Sequence, residues 1–138
     1  MQRVDASAWL SAVQAEMANG FTEFVTLIGI DNGGLQVWLR LADHDGNQAV
    51  LASNAEAGID SLVTMLPRCA WYEREAAEMF GIRFHGHDTA PLLLSAAAAL
   101  PPMRKDSLLA ARQVAWPGEK EPGGVIAHRR HRPPGVSA

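Results

Sequence analysis

The chain has 138 residues, 48% of them apolar and 20% charged, enough for one domain with a buried core and too hydrophobic for disorder along most of its length. Its single cysteine, Cys69, excludes an internal disulfide, and it excludes an iron–sulfur cluster held by this chain alone, which takes about four thiolates. All fifteen acids and nine of the twelve basic residues fall within residues 1–127, a balance of −6, which argues against a nucleic-acid-binding face.

Asp5 or Ser7 can cap a first helix, in which Trp9, Leu10, Val13 and Met17 form one apolar stripe. Asn19-Gly20 ends it. Residues 21–30 are rich in β-branched and aromatic side chains and read as a strand. Asp31-Asn32-Gly33-Gly34 then supplies a tight hairpin turn. On the return strand Leu35, Val37, Leu39 and Leu41 alternate with Gln36, Trp38 and Arg40, the pattern of a sheet with one face buried. A turn at 43–47 leads to a third strand at 48–52.

Residues 55–66 show helical spacing through Ile59, Leu62, Val63 and Leu66, interrupted by Pro67. A second helix is expected over 68–80, followed by short strands at 82–84 and 92–94. The alanine run 96–99 favours helix but is flanked by prolines. Beyond Lys105, Trp116-Pro117-Gly118 and Glu121-Pro122-Gly123-Gly124 break any periodic pattern. The expected fold is α+β: an N-terminal helix, an antiparallel meander, two helices and short strands in a two-layer sandwich over residues 1–106, with an extended arm over 107–138. Arg129, Arg130 and Arg132 make the tail basic, suited to a solvated terminus or to contact with acidic lipid headgroups or a partner.

No run approaches the roughly 20 apolar residues of a membrane-spanning helix. Residues 90–103 come nearest and are broken by Pro91, Pro101 and Pro102. The first five residues show no apolar run or cleavage site, so no secretory leader is expected, and the unpaired cysteine fits a reducing compartment. There is no P-loop and no glycine-rich dinucleotide motif.

The densest chemistry lies between Glu73 and His87. On a helical wheel Cys69, Tyr72, Ala76, Met79 and Phe80 share one arc, while Trp71, Arg74, Glu75 and Glu78 lie nearly opposite. Arg74 and Glu78, four apart, can pair along the helix. An indole among charges, pointed away from the core, suits a docking surface, or a solvated face with Trp71 tucked under a loop. Glu75 and Glu78 as a catalytic acid/base pair is the weaker alternative, because adjacent turns of one helix offer no pocket. His85 and His87, two apart on a strand, invite a metal, but zinc takes three or four ligands and no further donor stands at a recognised spacing. Gly86 otherwise permits a turn, around which His87 bonds the backbone. In Pro102-Met103-Arg104-Lys105-Asp106, proline fixes the chain before a cationic pair, and arginine suits bidentate pairing with a carboxylate on another chain.

Glu73-Arg74-Glu75, Glu78, Gly81-Ile82, Phe84 and Gly86-His87, followed by Arg104-Lys105-Asp106, resemble the signature of the 30 kDa or C-type subunit of respiratory NADH:quinone oxidoreductases, complex I. The resemblance covers about residues 62–106. It implies a cofactor-free, non-catalytic scaffold in the hydrophilic arm of a proton-translocating NADH dehydrogenase, peripheral on the cytoplasmic side of the membrane and packed against the quinone-site large subunit. Those residues, with Trp71, would then serve folding and docking between subunits. Asp88 stands where the family has proline, and the stretch 95–100 replaces an acidic–aromatic segment. The tail is more similar to the equivalent subunit of energy-converting, membrane-bound nickel–iron hydrogenases and formate hydrogenlyase.

Overall fold

The computed structural model describes residues 1–94 and 101–107. The alanine run 96–99 and all but the first residue of the expected arm lie outside the described residues. The elements run β1 (Gln2–Val4), α1 (Trp9–Ala18), β2 (Glu23–Asp31), β3 (Leu35–Ala42), β4 (Gln48–Asn54), β5 (Ile59–Asp60), α2 (Ala70–Phe80) and β6 (Phe84–His85). Short 3-10 turns, Ala6–Ala8 and Pro67–Cys69, lead into the two helices. The α+β class and the two-layer packing are as the sequence predicts.

The main sheet has the order β1-β4-β3-β2. The meander β2-β3-β4 is antiparallel, with Leu39 opposite both Leu27 and Leu51. Leu35, Val37, Leu39 and Leu41 are all buried, so the alternation read from sequence marks the core face. Trp9 and Val13 of α1, and Ala76 of α2, join the same core. Gly29 lets α2 approach β2: a Cβ there would stand 3.2 Å from the Ala76 Cβ.

Four features differ from expectation. Neither Asp5 nor Ser7 caps α1 through its side chain, because the 3-10 turn supplies the entry. Strand β1, three residues pairing in parallel with β4, is too short to leave a periodic signal. Residues 55–66 are not a helix. Gly58 takes φ +101°, Ile59 and Ser61 donate backbone N–H bonds to the carbonyls of Arg83 and His85, and β5 pairs in parallel with β6. Ile59, Leu62 and Leu66 are nevertheless buried, so their spacing reports the core without the helix. Residues 92–94 are a bend and not a strand, since their N–H groups face a side chain instead of another backbone.

Candidate functional site

Helix α2 organises everything that carries chemistry, and its three faces do different work. The core face presents Cys69, at the helix entry, and Ala76; Tyr72 meets Phe24 edge-on with ring centroids 5.1 Å apart. Gly81 closes the helix in the left-handed region, its N–H donating to the Ala77 carbonyl. Ile82 and Phe84 follow into the core.

Glu73 sits on the edge of that core face and is fully buried. Its carboxylate accepts from the Ser61 hydroxyl at 2.7 Å, the Leu62 N–H at 2.7 Å and the Cys69 thiol at 3.4 Å. His87 completes the set, with Nδ1 at 2.8 Å from Oε2. Surrounded by donors, the carboxylate receives a proton bond from the imidazole Nδ1–H as well. A buried acid that would be costly alone is thereby satisfied on both oxygens. The network joins three segments, around β5, α2 and the turn after β6. His87 thus bonds a side chain where the sequence suggests a backbone partner. Gly86, at φ +88°, makes the turn that brings the ring inward.

Burial, the Glu73 charge and the hydrogen bond to it all push the Cys69 thiol well above its ordinary pKa. Thiolate is the reactive form. Cys69 should therefore resist iodoacetamide at pH 8 in the native protein and alkylate rapidly once urea unfolds it, as followed by mass spectrometry. Fast labelling of the folded chain would contradict the burial.

The outward face binds a loop. Arg74 Nε donates to the Ala90 carbonyl at 2.8 Å and Nη2 to that of Pro91 at 3.2 Å. Glu78 accepts from the N–H groups of Leu92, Leu93 and Leu94. The two residues clamp successive stretches of residues 90–94 and do not form the helical ion pair expected of them. Burial would raise the Glu78 pKa, but the Leu94, Leu93 and Leu92 N–H groups, and then the Arg74 charge, outweigh it and leave the group below its ordinary value. A folded-state pKa below the unfolded one gives stabilisation that is present above the ordinary carboxylate range, about 4.3, and lost as pH falls through the lower value. Amides of residues 92–94 should accordingly lose hydrogen-exchange protection on acidification below about pH 4, before those of β3. Unchanged protection would show that the clamp is not electrostatic.

What remains outside includes two large apolar side chains. Trp71 is 66% exposed and Leu93 79% exposed, with the Arg74 guanidinium 5.3 Å from the indole centroid. Glu75 is exposed beside them. Nothing in the sequence singles out Leu93, and only the clamp reveals it. Glu78 accepts from three loop N–H groups, whereas Glu75 is exposed to solvent. His85 is exposed while His87 turns in to Glu73. Among the described residues no group of three or more His, Cys, Asp or Glu could hold a metal ion.

Residues 101–106 pack across the end of α2. The Met103 N–H donates to the Met79 carbonyl at 2.9 Å, and the Lys105 N–H to Asp31 at 2.9 Å in the β2–β3 hairpin. Lys105 Nζ reaches Asn32 at 3.5 Å. Arg104 Nε pairs with Asp106 at 3.1 Å, within the chain. Met103 is 59% exposed.

Residues 2–113 match the family described as respiratory-chain NADH dehydrogenase, 30 Kd subunit. The C-type subunit of NADH-quinone oxidoreductase from Methylobacterium sp. (strain 4-46) is 31% identical over 105 residues, 70% of this chain and 49% of that protein. Its counterpart from Sinorhizobium medicae (strain WSM419) is 29% identical over 107 residues, 72% of this chain and 53% of that one. The chain therefore spans about half the length of these curated relatives. A further relative, the C/D-type subunit of NADH-quinone oxidoreductase from Acinetobacter baumannii (strain AYE), is 32% identical over 71 residues, 51% of this chain and 10% of that protein. Among solved structures, a trypsin-resistant fragment of Nqo5 aligns with TM-score 0.58 at 18% identity, covering 62% of this chain and 78% of the fragment. A chain of the membrane-bound sulfane sulfur reductase, an archaeal respiratory membrane complex, aligns with TM-score 0.68 at 16% identity, covering 86% and 82%. At these identities the two structures speak for the fold alone.

Proposed function

The chain belongs to the family of the 30 kDa subunit of respiratory-chain NADH dehydrogenase, and from that premise we propose that it is a cofactor-free scaffold in the hydrophilic arm of an NADH:quinone oxidoreductase. It would bind the quinone-site large subunit and carry out no hydride or electron transfer itself. One observation carries this reading: Arg74 and Glu78 of α2 go to internal bonds, while Trp71 on the helix and Leu93 on the loop they hold stay in solvent. An isolated domain gains nothing from that inversion, whereas tryptophan is prominent among residues that anchor interfaces. The name of the Acinetobacter relative joins C to D in one long chain, which supports a D-type subunit as neighbour. Among the described residues no helix is long and apolar enough to cross a membrane; in the family reading the chain would reach the membrane through the complex, on its cytoplasmic face.

A second reading, the equivalent scaffold of a membrane-bound hydrogenase-type complex, is favoured by the tail sequence, which is more similar to that subunit of the nickel–iron hydrogenases. Both readings are tested by co-expressing the full chain with the D-type large subunit of its own organism. The expected result is a stable complex, with the chain alone free of metal, flavin and NADH oxidation. NADH turnover by the chain alone would overturn both. Nickel-ligating cysteine pairs in the large subunit would decide for the second.

A further inference from the structure

We infer that Asn32 is a site of spontaneous covalent modification, deamidation by its own backbone, and that the conversion loosens the anchor of residues 103–105. Asn19-Gly20, Asn32-Gly33 and Asp45-Gly46 each place an amide or acid side chain before a glycine. In such a pair the glycine nitrogen can attack the preceding side-chain carbonyl carbon, because glycine has no Cβ to obstruct the approach. The fold tells them apart. Gly20 donates its N–H to the Met17 carbonyl at 3.1 Å, and Gly46 to that of Asp43 at 3.2 Å. Among the described residues the Gly33 N–H has no such acceptor. Asn32 and Gly33 are both exposed at the tip of the β2–β3 hairpin.

The reaction consumes only water. Gly33 N gives its proton to solvent and bonds to Asn32 Cγ, and the side-chain nitrogen leaves as ammonia. The succinimide ring so formed takes up a water molecule at either carbonyl, giving aspartate or isoaspartate. Lys105 Nζ stands 3.5 Å from Asn32 Oδ1. Negative charge gathers on that oxygen during the attack, and a nearby cation favours it.

The product matters because of what the hairpin holds. Isoaspartate routes the main chain through the former side chain and lengthens it by a carbon atom. That change falls directly after Asp31, which pairs with Leu35, and it moves Gly34 away from the Asn32 N–H that it accepts from at 3.2 Å. Asp31 also accepts the Lys105 N–H at 2.9 Å, so a displaced Asp31 releases the segment packed across the end of α2. Asn32 itself has a negative φ, so the turn does not require asparagine there, and Asn32→Ser is a fair control.

The full chain is aged at pH 8 and 37 °C, and each conversion is located by fragmentation mass spectrometry that distinguishes isoaspartate from aspartate. Asn32 should convert about fivefold faster than Asn19, because Gly20 must first give up a backbone hydrogen bond. In urea, where the fold no longer separates the two, their rates should converge. Equal rates in the folded chain, or a preference that persists in urea, would overturn the inference. Hydrogen exchange reads the consequence. The Lys105 amide should lose protection in the aged chain and keep it in aged Asn32→Ser. Protection retained by the fully converted chain, or lost equally by the control, would overturn the link to the anchor.

Discussion

Glu73→Ala is expected to destabilise the fold by about 3–5 kcal/mol, because several buried donors lose their acceptor together. Against a total stability on the order of 5–15 kcal/mol, that suffices to leave a large unfolded fraction at 37 °C. The loss is not one contact. Removing the carboxylate strands the Leu62 N–H, the Ser61 hydroxyl and the His87 imidazole at once, and each buried donor without a partner costs about 1–3 kcal/mol. Glu73→Gln should cost only about 1–2 kcal/mol. Its oxygen can still take the Leu62 N–H, while its amide can donate to Ser61 Oγ and to a His87 ring that changes tautomer. A urea double-mutant cycle of Glu73→Gln with His87→Ala should show coupling of roughly 0.5–3 kcal/mol. Additive effects would mean that the 2.8 Å contact is incidental.

The chain's own residues make plain why part of this is readable in the sequence and part is not. Strand β3 is legible because its partners lie on adjacent strands and its alternation is local. Helix α2 and its glycine stop are legible for the same reason. Residues 55–66 mislead because Ile59, Leu62 and Leu66 meet helical spacing, while their backbone is claimed from afar by Arg83, His85 and Glu73. Glu73 itself leaves a usable trace: it stands four residues after Cys69 and three before Ala76, on the apolar side of the wheel. Its charge argues otherwise, and only a network of four donors from three segments reverses that argument. The Arg74 and Glu78 bonds reach 16 residues along the chain to backbone atoms, and backbone partners carry no sequence signal. The exposed Leu93 follows from that clamp, so it is invisible for the same reason.

The close seat of α2 on β2 yields a prediction whose sign is its test. Glycine within a strand ordinarily weakens it, by roughly 0.5–1 kcal/mol relative to alanine, so Gly29→Ala in an open strand should stabilise. Here the added Cβ would stand 2.8 Å from Phe80 Cδ2, 3.1 Å from Ile82 Cδ1 and 3.2 Å from the Ala76 Cβ. Ile82 Cδ1 ends its side chain and can yield, whereas Phe80 Cδ2 is a ring atom and moves only if the whole ring does. The Ala76 Cβ is fixed to the helix backbone, so α2 itself must lift. Overpacking of this kind costs about 1–3 kcal/mol, which exceeds the propensity gain. Gly29→Ala should thus lower the urea midpoint, and Gly29→Val should lower it further despite valine's preference for strands. Phe80→Ala should cost less in the Gly29→Ala background than in the wild type, because it removes the nearest atom. Were Gly29→Ala instead to raise stability, the helix would not rest where β2 and its glycine put it. Trp71 and the clamp residues Arg74 and Glu78, which all project from that helix, would then lose the footing on which their outward arrangement depends.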